Sequence, residues 1–357
     1  MFTLFSGWYK RKFSDPNAVT LLVILVSTFL FVYFFSHLLM PVFVAIAIAF
    51  LLDLPVNKLH RLGASRTLSV VITVSTFVGI SLIGILGLMP IVWQQSTHLF
   101  QEFPNMVGQG KTYLLALPEQ YPSIITADQI DNVITLVNDK FIEWGQVALT
   151  ASLNSISDLV ALLIYLILVP LMVFFFLKDK AVLFASFSQF LPNDRRMAKQ
   201  VGKEMNQQIM NYMRGKLIEI IIIGGVSTIA FITLGLNYAV LLGLLVGLSV
   251  LVPYVGATIV TFPVLLVALF QFGTSAEFGY VMLAYGIIQA LDGNLLVPLL
   301  FSEAVNLHPV TIIIAVILFG GLWGFWGVFF AIPLATLVKA VLNAWSSTTA
   351  HEVIEED

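Results

Sequence analysis

The stretch FGYVMLAYGIIQALDGNLLVPLLF, residues 278–301, is apolar almost throughout, yet it holds one acid, Asp292, followed directly by Gly293 and Asn294. About 20 consecutive apolar residues span the hydrocarbon core of a bilayer. An acid deep in such a run is expensive in hydrocarbon and is tolerated mainly where it faces a cavity or a partner. The stretch therefore reads as a transmembrane helix that carries function, and it directs attention to the C-terminal third of the chain.

Runs of the same kind recur on both sides of it: Ala18–Leu39, Pro41–Leu54, Thr67–Trp93, Ile156–Leu177, Leu217–Leu236, Tyr238–Phe270 and Val310–Trp345. About eight spans are expected, the second short and closing quickly on the first. Of the 357 residues 59% are hydrophobic and only 10% charged, and mean hydropathy is +0.97. A soluble domain is about 25% charged. Spans of a β-barrel would alternate over about 10 residues, whereas these runs are continuous. The fold class is an all-α integral membrane protein with interrupted or re-entrant helices in its C-terminal half. There is no cysteine, hence no disulfide framework, thiol nucleophile or thiolate metal site.

Charge orients the chain. Lys10, Arg11 and Lys12 precede the first run, which is too long for a signal-peptide core and reads as an uncleaved span. Lys58, Arg61 and Arg66 fall in the next polar loop, and residues 178–216 carry eight more basic residues. Residues 94–153 carry only Lys111 and Lys140 against six acids. The positive-inside rule places the first three segments in the cytoplasm and 94–153 outside, with both termini cytoplasmic. The expected organisation is 1–93 (spans one to three), 94–153 (external insertion), 154–216 (span four and a cytoplasmic basic helix), 217–345 (transport core) and 346–357 (acidic tail).

Both insertions contain amphipathic patterns. Thr126 and Gln129 form a capping-box pair, and Ile130, Val133, Ile134, Val137, Phe141 and Trp144 follow at helical spacing. This helix is a packed lid or stalk, or else an external gate or docking surface. After Asn193, Met197, Val201, Met205, Ile209 and Met213 repeat every four residues opposite Arg195, Arg196, Lys199 and Lys203. Such a helix lies against anionic headgroups or packs its methionine face on a neighbouring subunit.

Two loci carry the chemistry. Tyr238–Phe270 would be about 50 Å long as one helix, too long for a ~30 Å core, and its centre holds Pro253, Tyr254, Val255 and Gly256. Two half-helices or a re-entrant hairpin fit better than a plain proline kink. Such breaks expose carbonyls and helix ends that transporters use to hold ions and substrates. In the opening stretch, Gln289 and Asp292 are three apart and share a helix face; Gly293, Asn294 and Pro298 follow at an expected break. Together they would line one polar cavity, where a carboxylate can exchange a proton or hold a cation. A purely structural acid is the alternative. Glu219, near Arg214 and Lys216, reads as an ion pair at the membrane surface. Gly243 and Gly247, and Gly320, Gly321, Gly324 and Gly327, permit close helix contact. The five histidines show no metal-ligand spacing, and no HExxH, GxSxG or phosphate-loop signature occurs. No cofactor, metal, nucleic-acid partner or enzymatic activity is expected.

Pro253-Tyr254-Val255-Gly256, then Gln289, Asp292-Gly293-Asn294 and Pro298, then Leu307-His308-Pro309, then Gly320-Gly321, Gly324, Gly327 and Ala331-Ile332-Pro333 recur in this order in the autoinducer-2 exporter (AI-2E) family. The chain resembles that family, most of all its permease branch, over nearly its whole length. Members often carry Glu-Gly-Asn where this chain has Asp292-Gly293-Asn294. The resemblance implies a bacterial inner-membrane permease, with export of autoinducer-2 linked to some members and Na⁺/H⁺ exchange to others. The expectation is a secondary transporter of a small solute or ion, coupled to a cation or proton and working as a homo-oligomer. A channel and a non-transporting scaffold are the rival readings.

Overall fold

In the computed structural model the described residues are 16–115, 155–189, 196–253, 255–301 and 307–341, with isolated helical positions between 128 and 143. Thr126, Gln129, the amphipathic face that follows them, Asn193, Tyr254 and the tail 346–357 lie outside these. Every regular element among the described residues is helical. Six helical stretches are long and apolar enough to cross a membrane, and shorter apolar helices accompany them. The chain is an all-α membrane protein with interrupted helices in its C-terminal half.

The first two expected spans are one helix. α1 runs from Pro16 to Arg61, with Pro41 and Pro55 inside it. Proline removes one backbone donor and crowds the preceding turn, but here it does not end the helix. Without a turn near residue 40, the two ends of α1 lie at opposite ends of one rod. Cytoplasmic placement of both Lys10–Lys12 and Arg61 therefore does not follow. Lys58, His60 and Arg61 occupy the last turn of α1, where cations complement the helix dipole. Gly63, with φ 101°, stops the helix in a conformation that favours glycine. α2, Arg66–Leu115, continues through Pro90 and Pro104 into the polar region beyond Trp93.

α1, α2 and α3 (Ser155–Lys178) share an apolar core that includes Ala45, Val56, Val70, Val169 and Val173. A polar cluster closes one end of it. Buried Asp53 accepts from Lys180 at 3.1 Å and Asn57 at 3.0 Å, and lies 3.6 Å from Arg66. The Arg66 guanidinium donates to the Leu177 carbonyl at 2.7 and 3.1 Å. Lys180 begins α4, Lys180–Ser188.

α5, Arg196–Thr233, joins the basic amphipathic segment and the fifth span in one continuous helix. A helix continuous with a span does not lie flat in the interface, so the surface-helix expectation is corrected. Its methionine face packs within the chain: Met213 joins a core with Ala331 and Ala335, and Met205 packs on Ala340.

The 33-residue run divides into α6, Ala239–Ser249, and α7, Val255–Phe272. They form a helical hairpin, because their far ends meet. Gln271 accepts from the Asn237 N–H and donates to the Gly235 carbonyl, both at 2.7 Å. At the tip, a Cβ on Gly256 would stand 1.8 Å from the Ser249 carbonyl oxygen, so only glycine lets the arms turn this tightly. At ~1.5 Å per residue, the 11 residues of α6 reach about halfway into a ~30 Å core.

α8, Ala276–Leu291, passes into a π-helical turn over Asp292–Leu296 and then α9, Val297–Phe301. The break expected at Gly293 is thus a widened turn, not an interruption. α10, Pro309–Phe329, bends sharply at Gly324 (φ 59°, ψ −137°), and α11, Ala331–Val341, folds back so that Ala315, Val316 and Phe319 share a core with Ala331, Ile332 and Ala335. The open end of the first hairpin lies at the C-terminal end of α5; Ala340, at the open end of the second, lies against Met205 near the N-terminal end. The two hairpins therefore enter from opposite ends of α5.

Candidate functional site

Where the first hairpin's tip approaches α5, a cavity of about 530 Å³ opens between α5, the π turn, α9 and both arms of the second hairpin. Pro253, Gln289, Asp292 and Gly293 line it, together with Tyr212, Lys216 and Glu219 of α5. The two segments picked out by sequence thus face one space.

Lys216 and Glu219 form the ion pair expected, and it is buried within the protein, with Glu219 only 1% exposed. Their charges pair at 2.8 Å. The Lys216 ammonium also donates to the Val250 carbonyl at 2.6 Å and lies 5.2 Å from the centre of the Phe301 ring. Val250 caps the C-terminal end of α6, where the helix dipole favours a cation. The carbonyl end exposed by the chain break is therefore already held by a side chain of α5. A Cβ on Gly215 would strike the Phe301 ring at 2.5 Å, so glycine there lets α9 lie on α5. Tyr212, one turn before Lys216, donates to the Phe329 carbonyl at 3.1 Å and ties in the second hairpin. Sequence reasoning missed this cluster because Lys216 ends a basic stretch and resembles a surface anchor. The available signal was Glu219 inside the apolar run.

Asp292 and Gln289 share the cavity face, as their i, i+3 spacing predicts. Asp292 Oδ1 is buried and makes no hydrogen bond in the structure; the Gln289 amide lies beside the Tyr285 hydroxyl. The π turn begins at Asp292, with the Val297 N–H bonded to the Asp292 carbonyl five residues back. Such turns are frequent at functional sites. Asn294 turns away: its side chain is exposed and donates to the Ala290 carbonyl at 2.8 Å. Pro298 is likewise exposed and Gly256 is a packing glycine at the tip; none of the three lines the cavity.

The glycine pairs have two different uses. A Cβ on Gly247 would stand 2.7 Å from Gly224 Cα, and one on Gly243 would stand 2.0 Å from Thr228 Oγ1, so α6 lies directly on α5. In the last segment, Gly324 is the bend itself. Gly327 packs back on Phe319, whose carbonyl oxygen a Cβ would meet at 1.8 Å, and a Cβ on Gly320 would meet Val328. Gly321 has open space around it. The expected close helix contact is thus made by Gly320 and Gly327 between the two arms of one hairpin, around the bend at Gly324.

A second polar cavity, about 350 Å³, lies at the open end of the first hairpin and includes Gln95, His98, Glu102 and Tyr238. Gln95 accepts from the Leu241 N–H at 2.8 Å. The Tyr238 hydroxyl donates to Glu102, and burial, with this acid beside it, pushes the phenol above its ordinary range. Tyr238 has φ 59°, a left-handed conformation uncommon for a bulky residue. A slot of about 220 Å³ beside Asp53 and Lys180 is lined mainly by apolar side chains, and its one acid is already paired. Among the described residues no three His, Cys, Asp or Glu side chains converge as a metal site.

Residues 22–347 match the sequence pattern of the AI-2E family transporter. The chain is 50% identical to the protein named "Putative permease PerM" of Escherichia coli (strain K12), covering 97% of this chain and 98% of that one. It is 28% identical to "Putative transport protein YueF" of Bacillus subtilis (strain 168), with 87% and 85% covered. To "AI-2 transport protein TqsA" of Escherichia coli (strain K12) it is 22% identical, with 91% of each covered.

Proposed function

The chain belongs to the AI-2E transporter family, and from that membership we propose that it is a secondary transporter of a small solute or ion in the bacterial inner membrane, with movement coupled to a proton or another cation. The cavity between the two opposed hairpins is the substrate and coupling site. Asp292 is the coupling acid, Gln289 a polar ligand beside it, and the Pro253 tip one wall. The observation that carries the reading is the buried, unbonded Asp292 oxygen facing a cavity where two hairpins meet. Re-entrant backbone at membrane depth is tolerated where it is buried in protein or lines a cavity, and opposed broken helices around a central site suit alternating access.

The orientation draws support from shared level. Arg66 and Asp53 contact Leu177 and Lys180, so the basic loop after α1 and the basic stretch after α3 lie on one side. Ala340 packs on Met205, near the same end. That side, with the C-terminus, is cytoplasmic in this reading, and the chain works as a homo-oligomer. The relative named as an AI-2 transport protein makes autoinducer-2 the first solute to test.

The test is the purified chain in liposomes, with solute flux driven by imposed pH or Na⁺ gradients. Wild-type protein is expected to respond to a gradient and Asp292→Asn to lose that response. Gradient-driven flux at the wild-type rate in Asp292→Asn would remove Asp292 from the mechanism.

A further inference from the structure

The cavity holds an unequal set of charges. Among the described residues that line it, the titratable groups are Tyr212, Lys216 and Glu219 on α5 and Asp292 on the π turn. The two hairpins and α9 add only apolar or uncharged groups, including Ser249 and Thr258. Lys216 brings one positive charge; Glu219 and Asp292 bring two negative ones when ionised. The ammonium is held by Glu219, the Val250 carbonyl and the Phe301 ring. One Asp292 oxygen is buried without a hydrogen bond, and Asp292 lies within electrostatic reach of both Lys216 and Glu219. A buried charge is costly unless paired, so this set is one positive charge short of neutral.

We propose that the cavity takes up one monovalent positive charge, a proton or a sodium ion, at Asp292, and that Lys216 is a built-in second cation that limits the number to one. The inference rests on the transport reading above and adds its stoichiometry. A divalent ion would leave an unpaired positive charge in the cavity, so the site discriminates by charge as well as by geometry.

The test uses the full chain in liposomes and measures the charge displaced per chain after a pH jump and, separately, after a NaCl jump at fixed pH. The two arms tell a proton from sodium. Wild-type protein is expected to take up one charge in one of the arms. Asp292→Asn and Glu219→Gln should each take up none. The double variant Lys216→Met/Glu219→Gln should recover one. Lys216→Met alone should take up two, and Mg²⁺ should compete in it but not in the wild type. The double variant keeps the test decisive where Lys216→Met alone does not fold. No uptake by wild-type protein in either arm overturns the proposal. Loss in Asp292→Asn with one full charge retained in Glu219→Gln overturns the charge balance and leaves the transport reading standing. Full uptake in Asp292→Asn overturns the transport reading's coupling acid, and the proposal with it.

Discussion

Two clusters of acid and base are buried in this chain, and they differ in balance. Between α1, α2, α3 and α4, one carboxylate, Asp53, is shared by Lys180, Asn57 and Arg66, and the guanidinium also ties the end of α3. Between α5 and the π turn, one ammonium is paired with Glu219, and a second carboxylate, Asp292, faces the same cavity of about 530 Å³. Burial alone does not separate them, since Asp53 is 5% exposed and Glu219 1%. The first has donors in excess, and the slot of about 220 Å³ beside it is lined mainly by apolar side chains; it holds helix ends together. The second lacks a positive charge and has room for one. In a membrane protein, a buried acid points to function when it faces a polar cavity and no cation is paired to it.

The largest effect that would break this comparison is on transport. Asp292→Asn should lower gradient-driven flux by at least about tenfold in liposomes, one charge of coupling being lost, while Asp53→Asn, scored per folded protein, should leave it within about twofold. Equal losses in both would erase the distinction. In stability the order reverses. Asp53→Asn leaves two cations without their shared acid and should cost about 2–3 kcal/mol, less than a fully buried pair because Lys180 and Arg66 are partly exposed. Asp292→Asn should be close to neutral in thermal unfolding of the purified protein.

Smaller effects sharpen the placement of the hairpins. Gly247→Val drives a side chain into the backbone of Gly224 and Ile220 and should destabilise by about 1–3 kcal/mol; Gly279→Ala, with open space around it, should not. Gly324→Ala forces a backbone conformation that L-residues avoid and should cost about 1–3 kcal/mol, read as a lower unfolding temperature. Asn294→Ala should change flux by less than about twofold, because its amide bonds its own helix outside the cavity; a loss as large as that of Asp292→Asn would return Asn294 to the site.

Several of these features were legible along the chain. Gln289 and Asp292 share a face because helical period is local, and the hairpin at Pro253–Gly256 follows from a run too long for one crossing. Others were not. Pro41 looked like a turn and is helix interior; Gly324 looked like part of a contact face and is a bend. Proline and glycine weaken helical order, but whether the chain then kinks, turns or continues depends on what packs around it.

Composition and periodicity by themselves determined that the chain is a helical membrane protein and that Asp292 sits at a costly position, because transfer free energy is a property of each residue and its near neighbours. Only the tertiary structure decided that Lys216 and Glu219, more than 70 residues earlier, join that acid and that Asn294 does not. Which charges meet is set by how α5, the π turn and two opposed hairpins pack. That packing rests on a few glycine contacts and carbonyl ends whose partners are distant in sequence.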